Sequence, residues 1–155
     1  MATTPRRPAS GAFVGELRSL IAAQKGHYLE YLRVLDGEKE AAGKDDDDRL
    51  DLYRTLEIAG REKIIETDRS LQSLFRELAP TGVGAEEEAE LAAGRAELES
   101  LRLAALAAID AARKILESKK ETVKKELDSL RATRSRMAGG HRPSGDDPQF
   151  IDVYS

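Results

Sequence analysis

The sequence predicts an all-α fold: an elongated antiparallel helical hairpin or a three-helix, coiled-coil-like bundle, with a disordered C-terminal tail. Of its 155 residues, 35% are charged and only 5% are aromatic, which is typical of long helices. Apolar residues recur at spacings of three and four, and the five prolines all lie outside the periodic stretches. We therefore expect one helical domain at residues 13–138, with helices at about 13–42, 46–79 and 85–138.

The first arm follows a leader, residues 1–12, that contains Pro5, Pro8 and Gly11 and that we expect to be flexible. From residue 13 onwards, apolar side chains recur at the spacing of one buried helix face. They are Phe13, Leu17, Leu20, Ile21, Tyr28, Tyr31, Leu32 and Leu35.

Two interpretations remain open for the stretch after this face. Gly37 and Gly43 lead into four consecutive aspartates, residues 45–48. Because helix N-termini attract negative charge, the aspartates could cap a second helix that begins near Asp46. Alternatively, a single long helix is kinked between Gly37 and Asp45.

The next apolar stripe is interrupted by Gly60 and Thr67, which we expect to weaken its packing. Pro80 ends this helix, and Gly82 and Gly84 allow a tight reversal into an antiparallel neighbour. The stripe itself consists of Leu50, Tyr53, Leu56, Ile64, Leu71, Leu74, Phe75 and Leu78.

The last arm starts with glutamates and ends with lysines and arginines, so both ends complement the helix dipole. Gly139 and Gly140 end the arm, and we expect the tail at residues 139–155 to be flexible. The stripe of this arm is close to a three-four repeat, and comprises Leu91, Leu98, Leu101, Ala105, Ile109, Ala112, Leu116, Val123, Leu127, Leu130 and Met137.

Few residues in the sequence are suited to catalysis or to metal binding. The chain has no cysteine, and its two histidines, His27 and His141, have no partners that would complete a ligand set. We expect no enzyme, no cofactor and no metal. The net charge of −4 argues against nucleic acid, and no apolar stretch reaches membrane-spanning length. These features favour a soluble, cytoplasmic binding protein without membrane insertion.

A partner-binding surface is predicted on the end of the last arm, where the arms no longer overlap. Its apolar members are Leu116, Val123, Leu127, Leu130 and Met137, and Lys120, Lys124 and Arg131 would attract an acidic partner. A second candidate is a short linear motif in the tail, carried by Phe150, Ile151 and Tyr154.

The chain resembles the FlgN family of flagellar type III secretion chaperones along most of its length. The resemblance lies in Leu32, Leu35 and Glu38, in the region of Leu56, Glu57 and Lys63, in the short break and in the leucine-rich basic last arm. The ending at residues 150–153 also looks like tails of such chaperones. The aspartate run and the glycines beside it depart from the family.

The resemblance implies a cytoplasmic chaperone that binds C-terminal helices of the hook-associated proteins FlgK and FlgL and delivers them to the export gate. The basic, apolar end of the last arm would then capture the client. Two alternatives stand beside it. One is a structural coiled-coil scaffold, either a homodimer or an export component of the FliJ type. The other is an adaptor whose tail motif binds the partner.

Overall fold

The structure is a computed structural model that describes residues 11–79 and 82–140. In these ranges it contains three helices, α1 (Gly11–Gly43), α2 (Asp47–Leu78) and α3 (Ala85–Gly140), and no strand. The all-α prediction is confirmed, and the first arm is two helices rather than one. Residues 1–10 and 141–155 lie outside the described ranges, as do the expectations placed on them. The chain divides into two compact units, residues 1–116 and 117–155, and each is described by itself.

The break between α1 and α2 is a capping motif. Asp45 adopts a left-handed backbone conformation with φ of 54°. Its N–H donates to the Ala42 carbonyl, and the N–H of Asp46 donates to the Ala41 carbonyl over 3.0 Å. This pair of hydrogen bonds is the Schellman pattern, which usually has glycine at the left-handed position. Gly37 and Gly43 are not the break, since both lie within α1.

The aspartate run then starts α2. The side chain of Asp46 accepts a hydrogen bond from the Arg49 N–H at 3.1 Å, so Asp46 is the N-cap. Asp47 and Asp48 fill the first turn, where the helix dipole favours negative charge. The capping role predicted for this acidic run is therefore confirmed.

The contacts among the helices fix their directions within the first unit. Tyr31 of α1 meets Glu57 of α2, whereas Gln24, earlier in α1, meets Ile64, later in α2, so these helices are antiparallel. Two ion pairs join α1 to α3, and in both the partners are 72 residues apart in sequence. Because this separation is constant along the two helices, they run parallel. The pairs are Arg18 with Glu90 at 2.7 Å and Lys25 with Glu97.

Two apolar clusters form the core of this unit. The first joins Leu17 and Ile21 of α1 to Leu71 and Leu78 of α2 and Leu91 of α3. The second contains Tyr28, Tyr31, Leu35 and Ala105. All three helices contribute to burial, although α2 itself buries only Leu71 and Leu78.

Glycines allow the helices to approach closely. A Cβ added at Gly37 would overlap the ring of Tyr53 on α2, and one at Gly60 would lie 3.1 Å from the ring of Tyr31 on α1. Gly60 was expected to weaken the packing of its helix. Instead, it provides space for a tyrosine ring that a side chain would displace.

The described part of the second unit is the C-terminal stretch of α3. Every side chain from Lys120 to Gly139 is exposed. Two side-chain hydrogen bonds in this stretch are local. The Thr122 hydroxyl donates to the Ser118 carbonyl, and the Thr133 hydroxyl donates to the Ser129 carbonyl. Among the described residues, nothing covers any face of this helical stretch.

Candidate protein-binding surface

A polar cluster between α1 and α2 is the nearest feature to a chemical site. The Tyr31 hydroxyl donates to Glu57 over 3.2 Å, and Arg61 pairs with the same carboxylate. Glu38 is buried, and burial together with the nearby Glu57 carboxylate raises its pKa. Arg54 reaches Glu38 only at 4.0 Å, so the Glu38 charge is poorly compensated.

This cluster joins two helices rather than forming a reaction site. Burial raises the pKa of the Tyr31 hydroxyl further above its ordinary value of 10, so the hydroxyl is a neutral hydrogen-bond donor near pH 7. A nearby buried amide, Gln24, likewise joins the helices by donating to the Ile64 carbonyl at 2.9 Å. Such inter-helix hydrogen bonds fix how α1 and α2 align, because a shifted alignment would leave the buried polar groups without hydrogen-bond partners.

An open groove of about 540 Å³ lies beside the connection from α2 to α3. Among the described residues, its charged lining side chains are Glu88 and Arg95. The Arg95 guanidinium lies 4.4 Å from the centre of the Phe75 ring, in a cation–π contact that joins α3 to α2. The arginine is thus engaged in packing, and the groove offers no acid–base pair.

The strongest candidate surface is a row of apolar side chains on the C-terminal stretch of α3, here called the apolar row. Val123, Leu127, Leu130 and Met137 are 54%, 49%, 66% and 74% exposed. At about 100° per residue, all four lie within about 40° of one line along the helix. They form an apolar ridge of the kind that binds a partner helix, and Arg134 interrupts this ridge between Leu130 and Met137.

Basic side chains lie along one side of the apolar row. Lys120, Lys124 and Arg131 are exposed and lie about 60–100° from Val123 around the helix, all in the same direction. Glu126 lies on the opposite side. Residues 117–139 contain seven basic and four acidic side chains, a net charge of +3. The surface is therefore suited to an acidic partner.

The row also follows a coiled-coil register. Val123, Leu130 and Met137 are seven residues apart and occupy one seam position of the heptad. The other seam position holds Lys120, Leu127 and Arg134, so it alternates charged and apolar residues. Two such helices in parallel would bring Lys120 against Lys120 and Arg134 against Arg134. Charged seam positions of this kind select against parallel pairing between identical copies.

The structure places the predicted partner-binding residues in three groups. Seven of them, Lys120, Val123, Lys124, Leu127, Leu130, Arg131 and Met137, are exposed on one stretch of helix. Leu116 is half-buried and belongs to the first unit, so it is the weakest member of the set. Phe150, Ile151 and Tyr154 lie outside the described residues.

Some exposed apolar residues escaped the sequence reasoning. Leu56 belongs to the stripe assigned to the core of the second helix, yet it is 42% exposed. Leu52, Ile58 and Ile65 on the same helix are exposed as well. The spacing of seven between Ile58 and Ile65 was the available signal, but helical spacing alone does not show which face is covered.

Two other classes of site can be judged for residues 11–79 and 82–140. No helix there combines the length and apolarity that crossing a membrane requires. No group of three or more His, Cys, Asp or Glu side chains in those ranges is placed to hold a metal ion.

The chain was compared with protein-family models, with curated proteins and with solved structures, and it matches none of them.

Proposed function

We propose that this protein is a cytoplasmic export chaperone that binds helices of exported flagellar proteins through the apolar row. The observation that carries the proposal is the exposure of Val123, Leu127, Leu130 and Met137 on a basic helix. The clients are C-terminal helices of the hook-associated proteins FlgK and FlgL, as the resemblance to the FlgN family implies. The chaperone would deliver them to the flagellar export gate.

The physical chemistry of the row suits reversible capture. A client helix that later packs into an assembled filament exposes an apolar face beforehand, and a matching ridge can cover that face. Burial of an exposed leucine or valine side chain contributes about 1.5–3 kcal/mol when it is complete. Part of this gain from the four side chains of the row is offset by the entropy that the two partners lose on association. We therefore expect a moderate affinity, which allows the client to bind and later to dissociate.

The charge pattern favours a client over self-association. In a parallel homodimer Lys120 and Arg134 would each face a like charge across the seam, whereas an acidic client helix would neutralise them. The same argument weighs against a self-associating scaffold. An export component of the FliJ type, which would bind another copy or an ATPase, remains the alternative, and binding of the two kinds of partner distinguishes them.

The test is a calorimetric titration of the full chain with purified C-terminal helical segments of FlgK and FlgL. We expect binding that Leu127→Glu weakens about tenfold or more, because the substitution puts a charge in the middle of the row. Leu52→Glu is the matched control, since Leu52 is 57% exposed but lies on α2. We expect the control to bind as the natural sequence does.

Circular dichroism must accompany the titration. Leu127→Glu should keep nearly all of the helix content, since Leu127 is exposed. If the variant unfolds, Leu127 belongs to a core and the site assignment is wrong. If neither client segment binds the natural sequence, the chaperone proposal is wrong. Sedimentation showing a dimer that Leu127→Glu dissociates would instead support the scaffold.

A further inference from the structure

The sequence of the tail complements the apolar row in both charge and apolar content. We propose that residues 150–154 bind the apolar row of the same chain when no client is present. The tail then covers the surface that the client needs. The regulatory part of this inference rests on the proposed function, whereas the contact between tail and row does not.

Charge is the first argument. Residues 117–139 carry a net charge of +3, and residues 141–155 carry one arginine against the three aspartates at 146, 147 and 152, a net charge of −2. Lys120, Lys124 and Arg131 supply a basic edge along the row. Opposite net charges on two segments of one chain favour their encounter.

Apolar content is the second argument. Phe150, Ile151, Val153 and Tyr154 are four apolar residues within five, in a stretch from 141 to 155 that is otherwise polar or rich in glycine and proline. A segment whose role was only to remain solvated would not need them. The row presents four apolar side chains that are each about half exposed or more. Each set can thus remove the other from water.

Reach is the third argument. From the end of α3 at Gly140 back to Val123 is 17 residues of helix, about 26 Å at 1.5 Å per residue. The ten residues from Gly140 to Phe150 span up to about 33–36 Å when extended. Phe150 can therefore meet any residue of the row. Gly145 makes a reversal of chain direction inexpensive.

Connection in one chain distinguishes the tail from other occupants. A tethered segment meets its target at an effective concentration in the millimolar range, so even a weak contact is populated. A second copy lacks this advantage, and in a parallel pair it brings like charges together at Lys120 and Arg134. A client helix must then displace the tail, which sets a threshold for capture.

The absence of cysteine from the chain makes a direct test straightforward. A nitroxide spin label on Thr133→Cys lies beside the row, and amide signals are recorded from ¹⁵N-labelled full-length chain. We expect the signals of Asp152 and Val153 to lose most of their intensity. Phe150→Ser with Ile151→Ser should restore that intensity, while Gln149→Ser should not. The same label on Ser19→Cys in α1 is the position control.

Each other result overturns the proposal. Unchanged signals of Asp152 and Val153 would show that the tail does not visit the row. Equal broadening from the Ser19 label would show contact without selectivity for the row. Contact between copies is measured in a mixture of two samples. One sample carries the spin label but no ¹⁵N, and the other carries ¹⁵N but no spin label. Broadening in that mixture would identify a second copy as the occupant.

Client binding gives the regulatory readout. In the titration with the FlgK segment, Phe150→Ser with Ile151→Ser should bind about three- to tenfold more tightly, because the row is no longer covered part of the time. Unchanged or weaker affinity would mean that the tail does not restrain capture. If no client binds at all, the proposed function fails, and the spin-label experiment still decides the contact between tail and row.

Discussion

Leucines at helical spacing differ in burial between the two units of this protein. In the first unit Leu17 is fully buried, and α1 alone buries eleven residues. In residues 117–139 Leu130 is 66% exposed, and no described side chain is buried. The difference teaches that a periodic apolar stripe specifies a face and not what covers it. Other helices cover the face in the first unit, and in the described part of the second unit the face is exposed.

The polar contacts differ in the same way. The first unit has cross-helix contacts between residues far apart in sequence, such as Gln24 with Ile64 and Arg18 with Glu90. In the second, the hydrogen bonds of Thr122 and Thr133 reach back four residues within their own helix. Long-range contacts fix a tertiary arrangement, whereas local ones support only the helix.

The largest expected effect comes from truncating one leucine in each region. Leu17→Ala should lower the free energy of unfolding by about 2–5 kcal/mol, because it leaves a cavity among buried side chains. Leu130→Ala should change it by less than about 0.5 kcal/mol, since the side chain is mostly in water already. Urea unfolding followed by circular dichroism measures both.

The comparison fails if the two truncations cost the same. A large loss for Leu130→Ala would place that side chain in a core that the chain forms in solution, by self-association for example. Repeating the unfolding at two protein concentrations separates the cases, because only an oligomer has concentration-dependent stability.

A smaller effect is expected from methyl groups added to glycines. Gly37→Ala should destabilise the protein by about 1–2 kcal/mol, because the new Cβ overlaps the Tyr53 ring and the ring must move away. Gly26→Ala is the matched control within α1, where a Cβ meets nothing within 4 Å. It should stabilise by about 0.5–1 kcal/mol through helix propensity. Thermal unfolding compares them.

Gly139→Ala extends this test to the exposed region. A Cβ there also meets nothing within 4 Å, so the substitution should be nearly neutral or slightly stabilising. If Gly37→Ala proves as harmless as Gly26→Ala, the close approach of α1 and α2 is not tight. The contrast between a packed and an open region would then lose one of its supports.

Much of the fold could be predicted from the sequence because periodicity and chain breaks are local signals. The helical stretches and the reversal after Leu78 follow from residues close together in sequence, whereas the acidic cap at Asp46 was one of two interpretations left open. The left-handed conformation of Asp45 did not follow, because glycine usually occupies this position.

The candidate site was predictable only in part, because exposure depends on tertiary packing. The row at Val123, Leu127, Leu130 and Met137 was recognisable as a stripe, and its basic edge was readable from spacing. Leu56 was assigned to the core by the same reasoning, yet it is exposed. Nor could spacing reveal that Tyr31 and Tyr53 pack against glycines, since those contacts join residues that are distant in sequence.

The smallest expected effect comes from a buried polar group of the first unit, the Glu38 carboxylate. Burial and the neighbouring Glu57 raise the pKa of Glu38 above its ordinary 4.5, so the folded state binds this proton more tightly than the unfolded state. Its stabilising contribution is therefore complete below pH 4.5 and is lost as the pH rises through the raised pKa. Glu38→Gln should stabilise the protein at pH 7 by on the order of 1 kcal/mol, because no charge is then buried.

Glu40→Gln is the control two residues further along α1. Glu40 is exposed and pairs with Lys44 at 2.6 Å, which lowers its pKa. Its contribution therefore has the opposite sign: it is present above the ordinary pKa and is lost as the pH falls. Melting curves from pH 4 to 8 should show the advantage of Glu38→Gln growing as the pH rises, with no such gain for Glu40→Gln. An advantage that is equal at every pH would mean that the Glu38 charge is not the cause, and that the buried contact between α1 and α2 tolerates a carboxylate as well as an exposed helix does.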